Sequence, residues 1–193
     1  MPGISRFRWC LRTMIVLPLA LLLTLTSSNL AFAHVSLIKL SSDPFTNATS
    51  QHKTEVEPDS FSFGTTIVVT FQVGRFFDGG ASDIGWATSK NGGKTWTHGF
   101  LPGLTISMGG TNERASNPSV AYDAAHHTWM ILSLALPTIP PLGNSVLVNL
   151  STDGGLTWGN PITVAQAPPS GLFDKPWITC DDTASSAFYG HCY

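Results

Sequence analysis

The sequence predicts an all-β fold built from a repeated antiparallel unit. An eight-residue motif recurs 62 residues further along the chain, and short runs rich in β-branched and aromatic residues precede each copy. No helical period of useful length follows the N-terminal region. With 193 residues, 42% of them hydrophobic and 11% charged, the chain can form a sizeable core.

The N-terminus has the three parts of a secretory signal peptide: arginines, an apolar run over 14–25 and the small-residue site Ala31-Phe32-Ala33. The run of 12 residues is shorter than the roughly 20 that a membrane span needs. We therefore predict a signal peptide over 1–33, a linker over 34–54 and the repeats over 55–193. The mature chain is expected to be extracellular and not held in a membrane.

The charge balance argues against nucleic acid as a partner. Removing the leader removes three arginines, which leaves seven basic residues against twelve acidic ones and a net charge of −5. A nucleic-acid surface normally requires an excess of basic residues.

The recurring motif reads SKNGGKTW over 89–96 and STDGGLTW over 151–158. Both copies suit a hairpin loop, because a short polar side chain can accept backbone N–H bonds, paired glycines permit positive φ, and a tryptophan can pack the loop on its strands. We predict structural roles for eight residues: Ser89, Asn91, Gly93, Trp96, Ser151, Asp153, Gly155 and Trp158.

Each repeat opens with a polar residue followed by proline. The prolines of Glu57-Pro58, Asn117-Pro118 and Lys175-Pro176 are 60 and 58 residues apart. Second strands are predicted over 66–71, 128–133 and 187–192, and third strands over 83–88 and 145–150. Four short antiparallel strands per repeat are typical of a propeller blade. By the same spacing a third motif would begin near position 208, so the third copy is expected to be incomplete.

The opening positions are the first candidates for a ligand site. In a radial fold, equivalent positions converge on the central axis, which brings Glu57, Asn117, Asp174 and Lys175 together. Arg114 lies just before the second opening and is a further candidate. The alternatives are a polar channel lining that binds nothing and, for Arg114, a surface ion pair of little energetic consequence.

Other reactive residues have simpler interpretations. Asp78 and Asp83 could form an acid or calcium loop, but they lack regular ligand spacing and a solvated turn is the alternative. We predict no metal site and no cofactor. The three tyrosines after the leader, Tyr122, Tyr189 and Tyr193, are predicted to be core residues in strands.

Two cysteines remain after the leader, Cys180 and Cys192. In an oxidising compartment they could pair across a hairpin. The alternative is that both are small buried hydrophobic residues.

The motif Ser-x-Asp-x-Gly-x-x-Trp resembles the Asp-box, or bacterial neuraminidase repeat, of sialidases and their relatives, with Asn91 as the one departure. The opening Asp174-Lys175-Pro176-Trp177-Ile178 is also similar to blade openings in secreted exo-α-sialidase-like proteins. The resemblance covers roughly 55–193. It implies a six-bladed propeller of four-stranded blades in which the boxes lie at the blade periphery, away from the active site.

The resemblance leaves two functions open. A sialidase-like glycoside hydrolase would use three arginines, a tyrosine nucleophile with a glutamate partner and an aspartate acid and base. After the leader the chain has only Arg75 and Arg114, so no complete catalytic set can be assigned. The alternative is a non-catalytic secreted propeller that binds glycan or protein.

The resemblance also predicts that about two and a half blades cannot close a ring. Downstream blades or a partner would then be needed, and residues 34–193 alone should associate through exposed apolar faces. Size-exclusion chromatography with light scattering measures this, and a compact monomer would contradict it.

Overall fold

The computed structural model describes residues 37–137, 144–169 and 171–193. The predicted signal peptide therefore lies outside the described residues. The chain divides into two compact parts, Met1–Ile38 and Lys39–Tyr193, and all of the described strands lie in the second. Among the described residues, no helix has the length and apolar character needed to cross a bilayer.

Eight strands form two antiparallel blades. The first blade contains β1 Glu55–Phe63, β2 Thr66–Arg75, β3 Ala81–Ser89 and β4 Thr97–Phe100. A short 3-10 helix, Ile106–Met108, leads to the second blade, which contains β5 Arg114–Asp123, β6 Thr128–Leu136, β7 Ser145–Ser151 and β8 Ile162–Gln166. Consecutive strands pair within each blade, and the single pair Ala81↔Ala115 joins the blades. The predicted all-β fold of four-stranded antiparallel blades is confirmed.

The blades pack together because their central strands are apolar on both faces. Successive side chains of a strand point to opposite sides. On one side of β6, Trp129, Ile131 and Ala135 join a core shared with the first blade, and on the other Leu132 packs with Ile178 of the third repeat. Each junction between repeats is therefore a hydrophobic core.

The segment predicted as a linker, 34–54, packs on the first blade from Lys39 onward. Leu40 and Phe45 cover the outer face of that blade, and the ring of Phe45 lies 5.2 Å from that of Phe100. Ser50 is buried and pairs with Phe76. This segment thus closes the first blade on the side away from the second.

The third repeat differs from the prediction. The expected strand over 187–192 is wrong, because residues 184–190 form turns and Gly190 has a φ of 81°. Strand pairing within 171–193 is limited to the isolated bridge Cys180↔Cys192. Tyr189 and Tyr193 are consequently 37% and 67% exposed rather than core, whereas Tyr122 is buried as predicted.

Candidate binding site

The first two openings share one backbone irregularity. The register of β1 with β2 shifts between Val56 and Asp59, and that of β5 with β6 shifts between Ser116 and Ser119. Each shift contains the Glu-Pro or Asn-Pro pair of its opening. Proline has no N–H to donate and is tolerated at such bulges, so the sequence favours a bulge here.

The residue before each proline adopts a left-handed conformation. The φ angles are 51° for Glu57, 48° for Asn117 and 47° for Lys175. Non-glycine residues rarely adopt positive φ, and the strain costs on the order of 1 kcal/mol or more at each position. Because the backbone has the same strained conformation at three equivalent positions, the three side chains leave it in equivalent directions.

Those three side chains meet. Asn117 Nδ2 donates to Glu57 Oε2 at 3.2 Å, and Lys175 Nζ lies 3.7 Å from the same oxygen. They line a cavity of about 130 Å³ together with the three prolines, Asp59 and Trp177. We call this cavity the opening site. Its polar groups are two carboxylates, an amide and an ammonium group, beside an indole that is 66% exposed.

The other two candidate residues lie elsewhere. Asp174 is exposed and its Oδ1 accepts the N–H of Lys175, so it supports the opening without lining the cavity. Arg114 donates to Asp78 Oδ1 at 2.7 Å and to the Gly79 carbonyl at 2.9 Å, with its guanidinium 4.9 Å from the Phe76 ring centroid. The hydrogen bond from Arg114 lowers the pKa of Asp78. Arg114 is thus engaged in holding a loop.

Sequence reasoning missed Asp59, which ties the first two blades together at the opening site. Its Oδ2 accepts the N–H of Val120 at 2.8 Å and the hydroxyl of Ser119 at 3.1 Å. The equivalent contact recurs one repeat later, where Ser119 Oγ accepts the N–H of Ile178 at 3.4 Å. The sequence feature that could have revealed this contact is a hydrogen-bond acceptor two positions after each of the first two opening residues, Glu57 and Asn117.

The loop containing Asp78 and Asp83 does not behave as one site. Asp83 is fully buried in β3, so the predicted solvated turn is wrong for this residue. Burial raises the pKa of Asp83 well above its ordinary value, opposed by a hydrogen bond from Thr105. The described residues include no group of three or more His, Cys, Asp or Glu side chains that could hold a metal ion.

The two motif loops, 89–96 and 151–158, have matching hydrogen bonds. In the second loop, Asp153 Oδ1 accepts the N–H groups of Leu156 and Thr157 at 2.9 and 3.0 Å. In the first, Asn91 Oδ1 accepts from Lys94 and Thr95 at 3.1 and 2.9 Å. The amide therefore replaces the carboxylate with little change in geometry.

Serine and tryptophan complete the motif loops. Ser89 Oγ accepts the N–H of Gly93, and Ser151 Oγ accepts that of Gly155. The tryptophans differ, since Trp96 donates to the Gly93 carbonyl whereas Trp158 is buried between the blades. All eight motif residues thus lie in turn or packing positions.

The carboxylate of Asp153 makes the second loop sensitive to acid. Desolvation is the largest single effect and raises its pKa, but the hydrogen bonds from Thr157, Ser151 and Leu156 together outweigh it and lower the pKa to about 2. A depressed pKa stabilises the fold above the ordinary value near 4, and this contribution is lost as the pH falls from about 4 to about 2.

We expect Asp153→Asn to remove that acid sensitivity. Because the side chain is exposed, its effect on the free energy of unfolding at neutral pH should be no more than about 1 kcal/mol. Denaturant unfolding between pH 2 and 7 measures the difference, and Asn91→Asp is the mirror control that should gain the dependence. Parallel pH profiles for Asp153→Asn and the parent chain would contradict the prediction.

A disulfide joins Cys180 and Cys192, whose Cα atoms are 4.0 Å apart. The backbone pairs on either side, with Thr179 and Tyr193 exchanging hydrogen bonds of 3.1 and 2.8 Å. The disulfide therefore closes the turn-rich segment that follows the third opening.

Two four-stranded antiparallel blades with a shared core and converging openings are arranged like neighbouring blades of a β-propeller. No family model matches it, and no curated protein matches it. Solved structures that it resembles include the Hadza microbial sialidase Hz136, with 21% identity over 55% of this chain and 25% of that one, and a TM-score of 0.45.

Two further similar structures are of Trypanosoma rangeli sialidase. One is in complex with sialic acid and has a TM-score of 0.46, and the other is a mutant displaying trans-sialidase activity with a TM-score of 0.44. Both are 16% identical over 67% of this chain and 24% of theirs. The chain thus spans about a quarter of the length of these sialidases.

Proposed function

We propose that this chain is part of a secreted, sialidase-like propeller that binds or acts on glycans through the opening site. The observation that carries the proposal is the convergence of Glu57, Asn117 and Lys175, each in a strained conformation. Backbone strain of this kind concentrates at functional sites, where surrounding structure maintains it.

The chemistry of the opening site suits a sugar. Glu57 and Asn117 can exchange hydrogen bonds with hydroxyl groups, and the exposed ring of Trp177 can support the apolar face of a pyranose. The Lys175 side chain is paired with Glu57 at 3.7 Å but is 72% exposed, so its ammonium group can also contact an acidic substituent. A cavity of about 130 Å³ holds only part of a sugar unit, so we expect weak binding, with a Kd of about 1 mM.

Secretion and the motif loops belong to the same proposal. The leader over 1–33 supports export, and intact-mass measurement of the exported protein should find a chain that begins at His34.

The matching hydrogen bonds of the two motif loops support their interpretation as Asp-boxes with a structural role. The exposed side chains of Trp177, Phe188 and Tyr193 support the proposal that further blades or a partner cover the third repeat.

Replacement of Lys175 by Met is expected to weaken binding of an acidic glycan such as sialyllactose by about tenfold or more, because a charged hydrogen bond is lost. Calorimetric titration of the purified chain measures the change. Lys53→Met is the matched control, since Lys53 is also exposed and has a φ of 60° but does not line the cavity. Equal losses in both variants would exclude the opening site.

A specific observation favours binding without catalysis. Of the two arginines in the described residues, Arg114 is held by Asp78, and Arg75 donates to Gln51 Oε1 at 3.2 Å. Neither lines the opening site. Turnover of a fluorogenic sialoside by the purified protein, lost in Glu57→Gln, would support the hydrolase instead.

A further inference from the structure

A second cavity lies at the opposite end of the blades from the opening site. β1 runs from Glu55 to Phe63, so Glu57 and Phe63 are about 20 Å apart along the strand. The second cavity measures about 360 Å³ and lies between the two motif loops, with Lys90 on one side and Thr152–Gly154 on the other. We call it the box cleft. Its volume falls within the range of small-molecule sites.

The floor of the box cleft is aromatic. The ring of Tyr122 lies 4.5 Å from that of Phe63 and 4.8 Å from that of Trp129. Tyr122 and Trp129 are buried, while Phe63 is 44% exposed and presents its ring to the cleft. A large exposed ring backed by two buried rings is a rigid apolar surface, of the kind against which sugar rings pack.

The rim of the cleft is polar and carries one clearly available charge. Asp153 lies on the rim, but its two oxygens already accept bonds from Ser151, Leu156 and Thr157 within its own loop. Lys90 takes part in none of the ion pairs found among the described residues. Its ammonium group is therefore available to an anion.

The Lys90 side chain extends over the facing loop. Its Nζ occupies the space that a Cβ on residue 154 would need, and Gly154 has a φ of 83°. Glycine at this position thus allows the ammonium group to reach across the cleft. The hydroxyl-bearing Thr66 and Thr152 flank it on the two blades.

We propose that the box cleft binds one sugar unit carrying a carboxylate or a sulfate. The apolar face of the sugar packs on Phe63, its acidic group pairs with Lys90, and its hydroxyl groups face Thr66 and Thr152. This site is separate from the opening site and does not depend on the function proposed for it.

The test is an NMR titration of the full purified protein with methyl glucuronide, glucose 6-sulfate and neutral methyl glucoside. We expect the acidic sugars to shift the amide resonances of Thr152 and Gly154. Lys90→Gln should weaken binding by about tenfold or more through loss of a charged contact. Lys94→Gln is the matched control, because Lys94 is an exposed lysine of the same loop that does not line the cleft.

A second pair of variants tests the aromatic floor. Phe63→Leu should weaken binding, whereas Phe77→Leu, an exposed phenylalanine outside the cleft, should not. A response to glucuronide only, or to the sulfate only, would identify the acidic group. The proposal is overturned if neutral sugar binds as well as the acidic ones, if the Lys90 and Lys94 variants lose affinity equally, or if neither acidic sugar shifts the cleft resonances.

Discussion

Replacing Asp59 with Ala is expected to lower the free energy of unfolding by about 2–3 kcal/mol. The substitution removes the acceptor for two donors of the second blade, the Val120 N–H and the Ser119 hydroxyl. Both donor residues are buried, with 3% and 0% exposure, so removing the carboxylate leaves two buried donors without their acceptor. An unsatisfied buried donor costs more than the bond itself contributed.

Equilibrium urea unfolding of the full chain, followed by tryptophan fluorescence, measures this loss. Asp59→Asn keeps one oxygen acceptor and should lose less than half as much. Ser60→Ala, the exposed neighbour in β1, serves as the control for the strand itself. If Asp59→Ala is no less stable than Ser60→Ala, the contact between the blades contributes nothing to stability.

Loss of the disulfide should destabilise the end of the third repeat by about 3 kcal/mol, the entropy of closing a loop of this length. The double variant Cys180→Ala/Cys192→Ala leaves only the backbone pairing to hold the ends together. The hydrogen bonds between Thr179 and Tyr193 and between Asp181 and His191 should then open more often. The effect should be local, because the closed segment lies outside both blades.

Native-state hydrogen exchange resolves this local effect. We expect protection of the Thr179, Asp181 and Tyr193 amides to fall by about 100-fold, while amides of β2 and β3 keep theirs. The parent chain treated with reductant should match the double variant. Unchanged protection at the three amides would show that the packing of Ile178, not the disulfide, orders this segment.

Repetition explains how much of the fold the sequence could predict. The motif loops and the prolines of the openings recur at nearly constant spacing, and short runs rich in β-branched and aromatic residues mark the strands between them. The predicted positions of β2, β3, β6 and β7 are therefore confirmed. The third repeat departs from the pattern, because Ala187–Cys192 reads as a strand while turns around Gly190 redirect the chain.

Three residues of the candidate site were predictable from the sequence, but its geometry was not. Equivalent positions suggested that Glu57, Asn117 and Lys175 converge, but positive φ at non-glycine residues has no sequence signature. Arg114 was expected at the site because it lies close to the second opening in the sequence. Its hydrogen-bond partner is instead Asp78, which lies 36 residues away. Asp83 was misjudged because a glycine-rich neighbourhood suggests solvent, whereas β3 carries the residue into the core.

The contact between Asp59 and Val120 requires a particular side chain in only one of the two blades that it joins. The donor is a main-chain N–H, which every residue except proline provides, so the incoming blade needs no particular side chain there. Ser119 repeats the arrangement toward Ile178. At the equivalent third position stands Trp177, whose indole can only donate. This hydrogen bond between blades therefore cannot recur at the third opening. Any blade docked there must be attached by different chemistry.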